Sequence, residues 1–318
     1  MRSQKQFWII IAFAALYLIW GSTYLGIRFA IDTIPPFLMA GCRYFLAGLI
    51  MFAIARTQGP LRSEWAHWRT ALIVGACLIL GGNGGVTLSE KFIDSGLASL
   101  IVATVPIYIT LLGWLAGMAP RPKPIVWSGF AGGLLGVAIL LGPALRFSSS
   151  DGSHSAVGIS ILLCSSFIWS AGSLYSRTAK NAASPFLAAA QQMFCGGLLL
   201  MFASLLIGEP RRFHPEAISI LSLGAFAYLV LIGAIVGFTA YIWLLRHCDP
   251  AKVATYAYVN PIVAVLLGAA FAGERLSSRS LIAAAVIIGS VALVITAQQR
   301  KPKIAPPIVA AVETECAR

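Results

Sequence analysis

Two tryptophans carry the strongest chemical signal in the chain. Trp20 and Trp169 each fall near the middle of a long apolar run, whereas tryptophan in membrane helices favours the headgroup boundary. Trp8, Trp65, Trp68, Trp114, Trp127 and Trp243 keep to that habit, near the ends of runs. A central indole can form a flat wall that stacks on a solute or a cation, and its N–H needs a partner away from water. The alternative is that each ring only fills space between helices. Polar groups accompany the pair. Tyr24 lies one turn beyond Trp20, and Tyr256 one turn before Asn260, so each pair shares a helix face. Thr104 comes two residues before Pro106, and Asn83 sits within a glycine-rich stretch, 81–85. An amide in apolar surroundings is expensive unless bonded, so Asn83 either joins two helices or touches a solute. Trp20, Tyr24, Asn83, Thr104, Trp169, Tyr256 and Asn260 are therefore the candidate binding residues. They offer stacking and hydrogen bonds without a full charge, which suits neutral, zwitterionic or amphipathic molecules.

Two prolines and one arginine complete the set. Pro106 and Pro261 sit in the middle of their runs. Each removes a backbone hydrogen bond and frees a carbonyl four residues earlier, predicting a kink that serves as a hinge or as static packing. Arg43 is the only charge well inside a run. It is expected to snorkel or to pair with Glu90 or Asp94 in a following connection, or else to meet an anionic solute directly. The acids and histidines all lie in or beside connections, at run ends or in the tail, and there is no HExxH, phosphate-cradling glycine loop or pair of central carboxylates. Nothing here predicts a metal, a cofactor or an intramembrane enzyme. A proton relay through a central acid is disfavoured, while coupling through a loop acid stays open.

The elements that must position these residues follow from composition. The chain has 318 residues, 58% apolar and 11% charged, against roughly 25% charged in a soluble domain. Runs of about 20 apolar residues read as transmembrane helices. They occur at 7–31, 37–55, 69–88, 95–117, 125–142, 157–177, 185–207, 223–245, 251–272 and 280–297. The expected fold is all-α and integral to the membrane, with ten spans, five per half, contacting lipid. Residues 148–155 read as a linker and 301–318 as a disordered tail. The net charge of +12 does not predict nucleic-acid binding, because the basic residues sit in short loops and not on one soluble face. None of the six cysteines forms a CxxC pair, so they read as core or lipid-facing residues.

The chain is doubled. Trp20 matches Trp169, Arg28 matches Arg177, 36–38 matches 185–187 and 48–49 matches 197–198, all at an offset of 149. Asp94 and Asp249, Pro106 and Pro261, and Gly113 and Gly268 match at 155. With the N-terminus inside, fifteen Lys and Arg fall on the cytoplasmic side and seven on the other, which places both termini in the cytoplasm. Five spans per repeat then force the second copy to enter from the opposite face, the inverted arrangement of many secondary transporters.

On these residues the chain resembles the ten-helix EamA-type branch of the drug/metabolite transporter superfamily. The resemblance rests on 20–23 (Trp-Gly-Ser-Thr), Arg43 early in the second span, the two mid-span prolines and Gly273-Glu274 closing the ninth. Two departures stand out: the first half has 117–119 (Gly-Met-Ala) where the second has Gly273-Glu274, and Gln192 occupies the place of Arg43. The resemblance implies repeats at 1–147 and 157–297 with a tail at 298–318. It also implies export of small metabolites or amino-acid-like solutes across a bacterial inner membrane, and it leaves room for a homodimer. The rival reading is a non-transporting receptor or scaffold.

Overall fold

The computed structural model describes residues 2–141, 150–248, 253, 256–274 and 277–299. Residues 300–318 of the expected tail, the connection at 142–149 with Arg146, and Asp249 and Arg275 lie outside the described residues. The helices are α1 (Arg2–Ala30), α2 (Pro36–Thr57), α3 (Trp65–Gly75), α4 (Gly84–Ser89), α5 (Ser95–Val102), α6 (Val105–Leu115), α7 (Pro124–Leu141), α8 (Ser150–Thr178), α9 (Pro185–Leu206), α10 (Ile220–Tyr228), α11 (Gly237–His247), α12 (Tyr256–Phe271) and α13 (Ser278–Gln299). Seven helical stretches, α3–α4, α5–α6 and α10–α11 each continuing as one, are long and apolar enough to cross a membrane. Three more apolar helices, Pro124–Ile139, Val259–Phe271 and Ser278–Val294, are shorter. The stretch read as a linker is already helical from Ser150: its serines and Asp-Gly dipeptide are weak helix formers, but they extend a long apolar helix that carries them.

Sequence features recur at matched places. Pro36 and Pro185 open α2 and α9, where a missing N–H costs nothing and the fixed φ suits a first turn. Among the described helices these two share the most extensive contact. Gly48 and Gly197, matched in the repeat, make that approach possible: a Cβ on Gly48 would lie 2.8 Å from the Phe194 backbone nitrogen, and one on Gly197 2.5 Å from that of Phe45. Close backbone contact through glycine is the usual device where lipid provides no hydrophobic drive between helices. A second pair joins α7 to α13.

The third helix of each half shares a feature that no residue pattern announced. Between α3 and α4, over Ala76–Asn83, and between α10 and α11, over Leu229–Val236, the backbone widens to i→i−5 hydrogen bonding. Gly84 N–H reaches the Ile79 carbonyl, and Gly237 N–H is shared between those of Ile232 and Ala234. Such widened turns are rare and gather at functional positions.

The prolines do not behave alike. The kink expected at Pro106 is a break: α5 ends at Val102, Ala103 and Thr104 form a turn, and Pro106 is the second residue of α6. At that position proline has no hydrogen bond to lose, and Thr104 Oγ1 donates to the Ile101 carbonyl at 2.6 Å instead. Pro261 remains inside α12.

Candidate functional site

The candidate residues gather in two places. In the first, Trp20 of α1 stands against Tyr241 of α11 and Tyr256 of α12, with ring centroids 5.2 and 5.0 Å away. Tyr241 and Tyr256 meet edge to face at 6.1 Å. Asn260, 7% exposed, closes the group. With its amide nitrogen turned inward it donates to the carbonyls of Tyr17 at 3.2 Å and Tyr256 at 3.3 Å, an orientation set by its neighbours. These bonds answer the requirement that an amide inside a bundle be satisfied. Gly21 allows α1 to approach here, since a Cβ would lie 2.6 Å from Val263 and 3.1 Å from the Asn260 carbonyl. The cage is built of aromatic and amide groups, and among the described residues Arg177 of α8 is the charge near enough to act on it, through Tyr241. Tyr241 was not among the sequence candidates: as one more aromatic residue in an apolar run, only its contact with Trp20 distinguishes it.

The second place holds Trp169 of α8, lying on Gly82 with Asn83 next in the chain. Asn83 Nδ2 donates to the Leu78 carbonyl at 3.1 Å, so its amide serves the widened turn itself. Ser170, fully buried, donates to Ser166 O at 2.7 Å and to Val105 O at 3.4 Å, tying α8 to the start of α6. Thr104 is buried there too. Tyr24 packs against the buried cluster that α5 shares with α7, α8 and α13. No ring contact joins Trp20 to Trp169 among the described residues.

The two tryptophans share one geometry. A Cβ on Gly237 would lie 2.6 Å from Trp20 Nε1, and one on Gly82 would lie 2.5 Å from Trp169 Cε3. Gly82 and Gly237 are themselves separated by 155. Each indole therefore rests on a glycine at the end of the widened turn in the other half of the chain.

Acidic groups meet at one end of the bundle, the end that the count of basic residues would place outside. Both Glu209 and Glu274 follow a left-handed glycine, Gly208 at φ 73° and Gly273 at φ 64°. Glu209 accepts from the Phe37 and Leu38 amides at 3.1 and 2.8 Å and from Ser204 Oγ at 2.7 Å. Glu274 accepts from the Ser95 amide and hydroxyl at 2.9 and 2.6 Å and from the Gly96 amide at 3.1 Å. Two carboxylates from the second half thus cap the first turns of α2 and α5 in the first half, where free N–H groups and the helix dipole favour negative charge. Arg28 Nη1 donates to the Glu90 carbonyl at 2.6 Å and Lys91 Nζ to the Ile31 carbonyl at 2.6 Å.

The expected ion pair of Arg43 with Glu90 or Asp94 is not formed in this conformation. Among the described residues the one ion pair is His214 with Glu216, on the surface. Arg43 instead stacks on Tyr44, 4.8 Å from the ring centre, with its guanidinium beside Gly233 of the widened turn between α10 and α11. Gln192, at the matched position, donates to Asn181 Oδ1 at 3.2 Å.

The EamA-like transporter family profile matches residues 6–142 and 156–296. The "uncharacterized inner membrane transporter YedA" of Escherichia coli strain K12 is 36% identical over 313 residues, covering 98% of each chain. A "probable amino-acid metabolite efflux pump" of Salmonella typhimurium strain LT2 is 24% identical and covers 85% of this chain and 89% of its own. One crystal structure superposes with a TM-score of 0.61 at 22% identity, over 92% of this chain and 99% of that one, a likeness of fold alone.

Proposed function

The chain belongs to the EamA-like transporter family, and we propose that it is a secondary transporter that exports small organic solutes across a bacterial inner membrane by alternating access between two inverted five-helix halves. The observation that carries this reading is the matched placement of Trp20 on Gly237 and Trp169 on Gly82. Each contact crosses from one half of the chain to the other beside a widened turn, where two packed halves would have to slide or rock. The uncharged cage of Trp20, Tyr241, Tyr256 and Asn260 supports a neutral, zwitterionic or amphipathic solute. The relative named as an amino-acid metabolite efflux pump supports the same class. No group in either cluster is arranged as nucleophile and base, which fits transport better than catalysis. A multi-pass protein with both ends in the cytoplasm follows from the charge distribution. Reporter fusions after Arg146 and after Arg300 are expected to report opposite sides.

The decisive experiment is flux in proteoliposomes with a panel of radiolabelled zwitterionic amino acids. The intact protein is expected to move at least one of them. Trp20→Ala and Trp169→Ala are expected to abolish that flux or change its selectivity while leaving insertion and thermal stability nearly intact. Normal flux in both variants would make the tryptophans packing residues, and no flux in the parent with any solute would favour a receptor or scaffold.

A further inference from the structure

Glu90 directly follows α4, and by its sequence neighbours it belongs to a solvated connection. Packing removes it from water: the residue is 0% exposed, and neither carboxyl oxygen has a hydrogen-bond partner. The ionisable groups facing it are Tyr24 and Arg28 from α1, Arg43 from α2 and Glu274 beyond α12, with Lys91 and Asp94 in its own connection. Most are engaged elsewhere. Arg28 is bonded to the backbone carbonyl of Glu90, Lys91 to Ile31, and both oxygens of Glu274 to the start of α5. Arg43 lies on Tyr44 with its own Nε buried and unpartnered. From α8, which packs on α4, the one charge among the described side chains is Arg177, at the far end of that helix.

An ionised carboxylate is very unfavourable in such a place, and the neutral acid far less so. Burial pushes the Glu90 carboxyl well above the usual carboxylate range, the charge of Glu274 adds to this, and Arg28 and Arg43 oppose it. Ionisation would also act against the bonds that close the outer end. It would set a second negative charge against Glu274, which links the second half to α5, and it would draw Arg28 away from the carbonyl that fastens α1 to the α4–α5 connection.

We propose that Glu90 is a proton-binding site controlling an outer gate: the neutral acid holds the outer end closed, and its ionisation, with the carboxylate drawn to Arg43 and Arg28, opens it. This rests on the transporter reading for its consequence, and it assigns a proton from the outer compartment as the regulator of solute exit. The direction follows from linkage. A carboxyl whose pKa is higher in the closed than in the open state favours the closed state at low pH. That preference is lost as pH rises from the ordinary glutamate range through the raised value.

The test uses the full chain in liposomes with two readouts that need no solute. Infrared difference spectroscopy is expected to show a protonated carboxyl band that persists above the ordinary glutamate range and is missing in Glu90→Gln. Spin labels at Asp32→Cys and Ser277→Cys, with the native cysteines replaced by serine, are expected to separate as pH rises in the parent and to stay at the short distance in Glu90→Gln. Glu274→Gln, a variant independent of Glu90 folding, is expected to lower the pH at which the band disappears and to shrink the separation. A band retained in Glu90→Gln, or a pH-driven separation unchanged in that variant, would overturn the proposal. Amino-acid flux that ignores outer pH would overturn it while leaving the transporter reading in place. A distance change that follows pH without any flux would keep the proton site and remove the transporter reading.

Discussion

The two halves of the chain start from matched residues and finish differently. Trp20 and Trp169 each press on a glycine of the opposite half, yet among the described residues it is Trp20 that stands against two tyrosines. Pro106 divides its helix, whereas Pro261 stays inside one. Both carboxylate caps run one way, from Glu209 and Glu274 in the second half to α2 and α5 in the first. The lesson is that duplication fixed the crossing points of the backbone, while the chemistry diverged on each side. A matched position is evidence for packing, and an unmatched one is where solute choice and gating can reside.

The caps give the largest expected difference. Glu274→Ala leaves two helix-start amides and a hydroxyl without their acceptor, and is expected to cost about 3 kcal/mol of stability, since bonds to charged groups are worth roughly 1.5–3 kcal/mol each. In the first half Ala119 stands at the matching point, and Met118→Ala beside it, at a residue 51% exposed, is expected to change stability by less than about 0.5 kcal/mol. Thermal unfolding in detergent compares them, and equal losses would remove the asymmetry.

A smaller effect sharpens the symmetric part. Gly82→Ala and Gly237→Ala would each drive a methyl into an indole, and overpacking of this kind typically costs about 1–3 kcal/mol. Similar losses are expected for the two, with flux reduced in both. A loss at one alone would show that the matched contacts do not bear equally on the fold.

The smallest effect concerns Arg43 and Glu90. With no ion pair between them in this conformation, a double-mutant cycle at acidic pH is expected to be additive within about 0.5 kcal/mol. Coupling well beyond that would restore the pairing that Arg43's place in the sequence suggested.

Much of this was legible before any coordinates. The long apolar runs require helices, because backbone groups in lipid must be satisfied within the segment, and the tryptophans were marked by standing where indoles do not usually settle. Gly48 and Gly197 were matched in the repeat, but that two backbones come together there is visible only in the packed structure. Other features had no local signal. The widened turns at Ala76–Asn83 and Leu229–Val236 carry no distinguishing residue type, since apolar residues and glycine fit ordinary α-helix there as well. Tyr241 acquires meaning only through Trp20.

Glu90 marks the boundary most sharply. One-dimensional reading sees an acid beside a lysine at the end of a run and takes it to be in water, because charge is normally kept at the surface. Its burial depends on α1, α2 and the segment after α12 all closing over one short connection, and those parts are far apart along the chain. Sequence determined that this protein is a bundle of membrane-length helices with a doubled plan, since hydropathy and repetition are properties of residue order. Which acids cap helices, which arginine stays unpaired and which carboxyl loses its water were decided by tertiary packing, because hydration and charge pairing depend on neighbours in space.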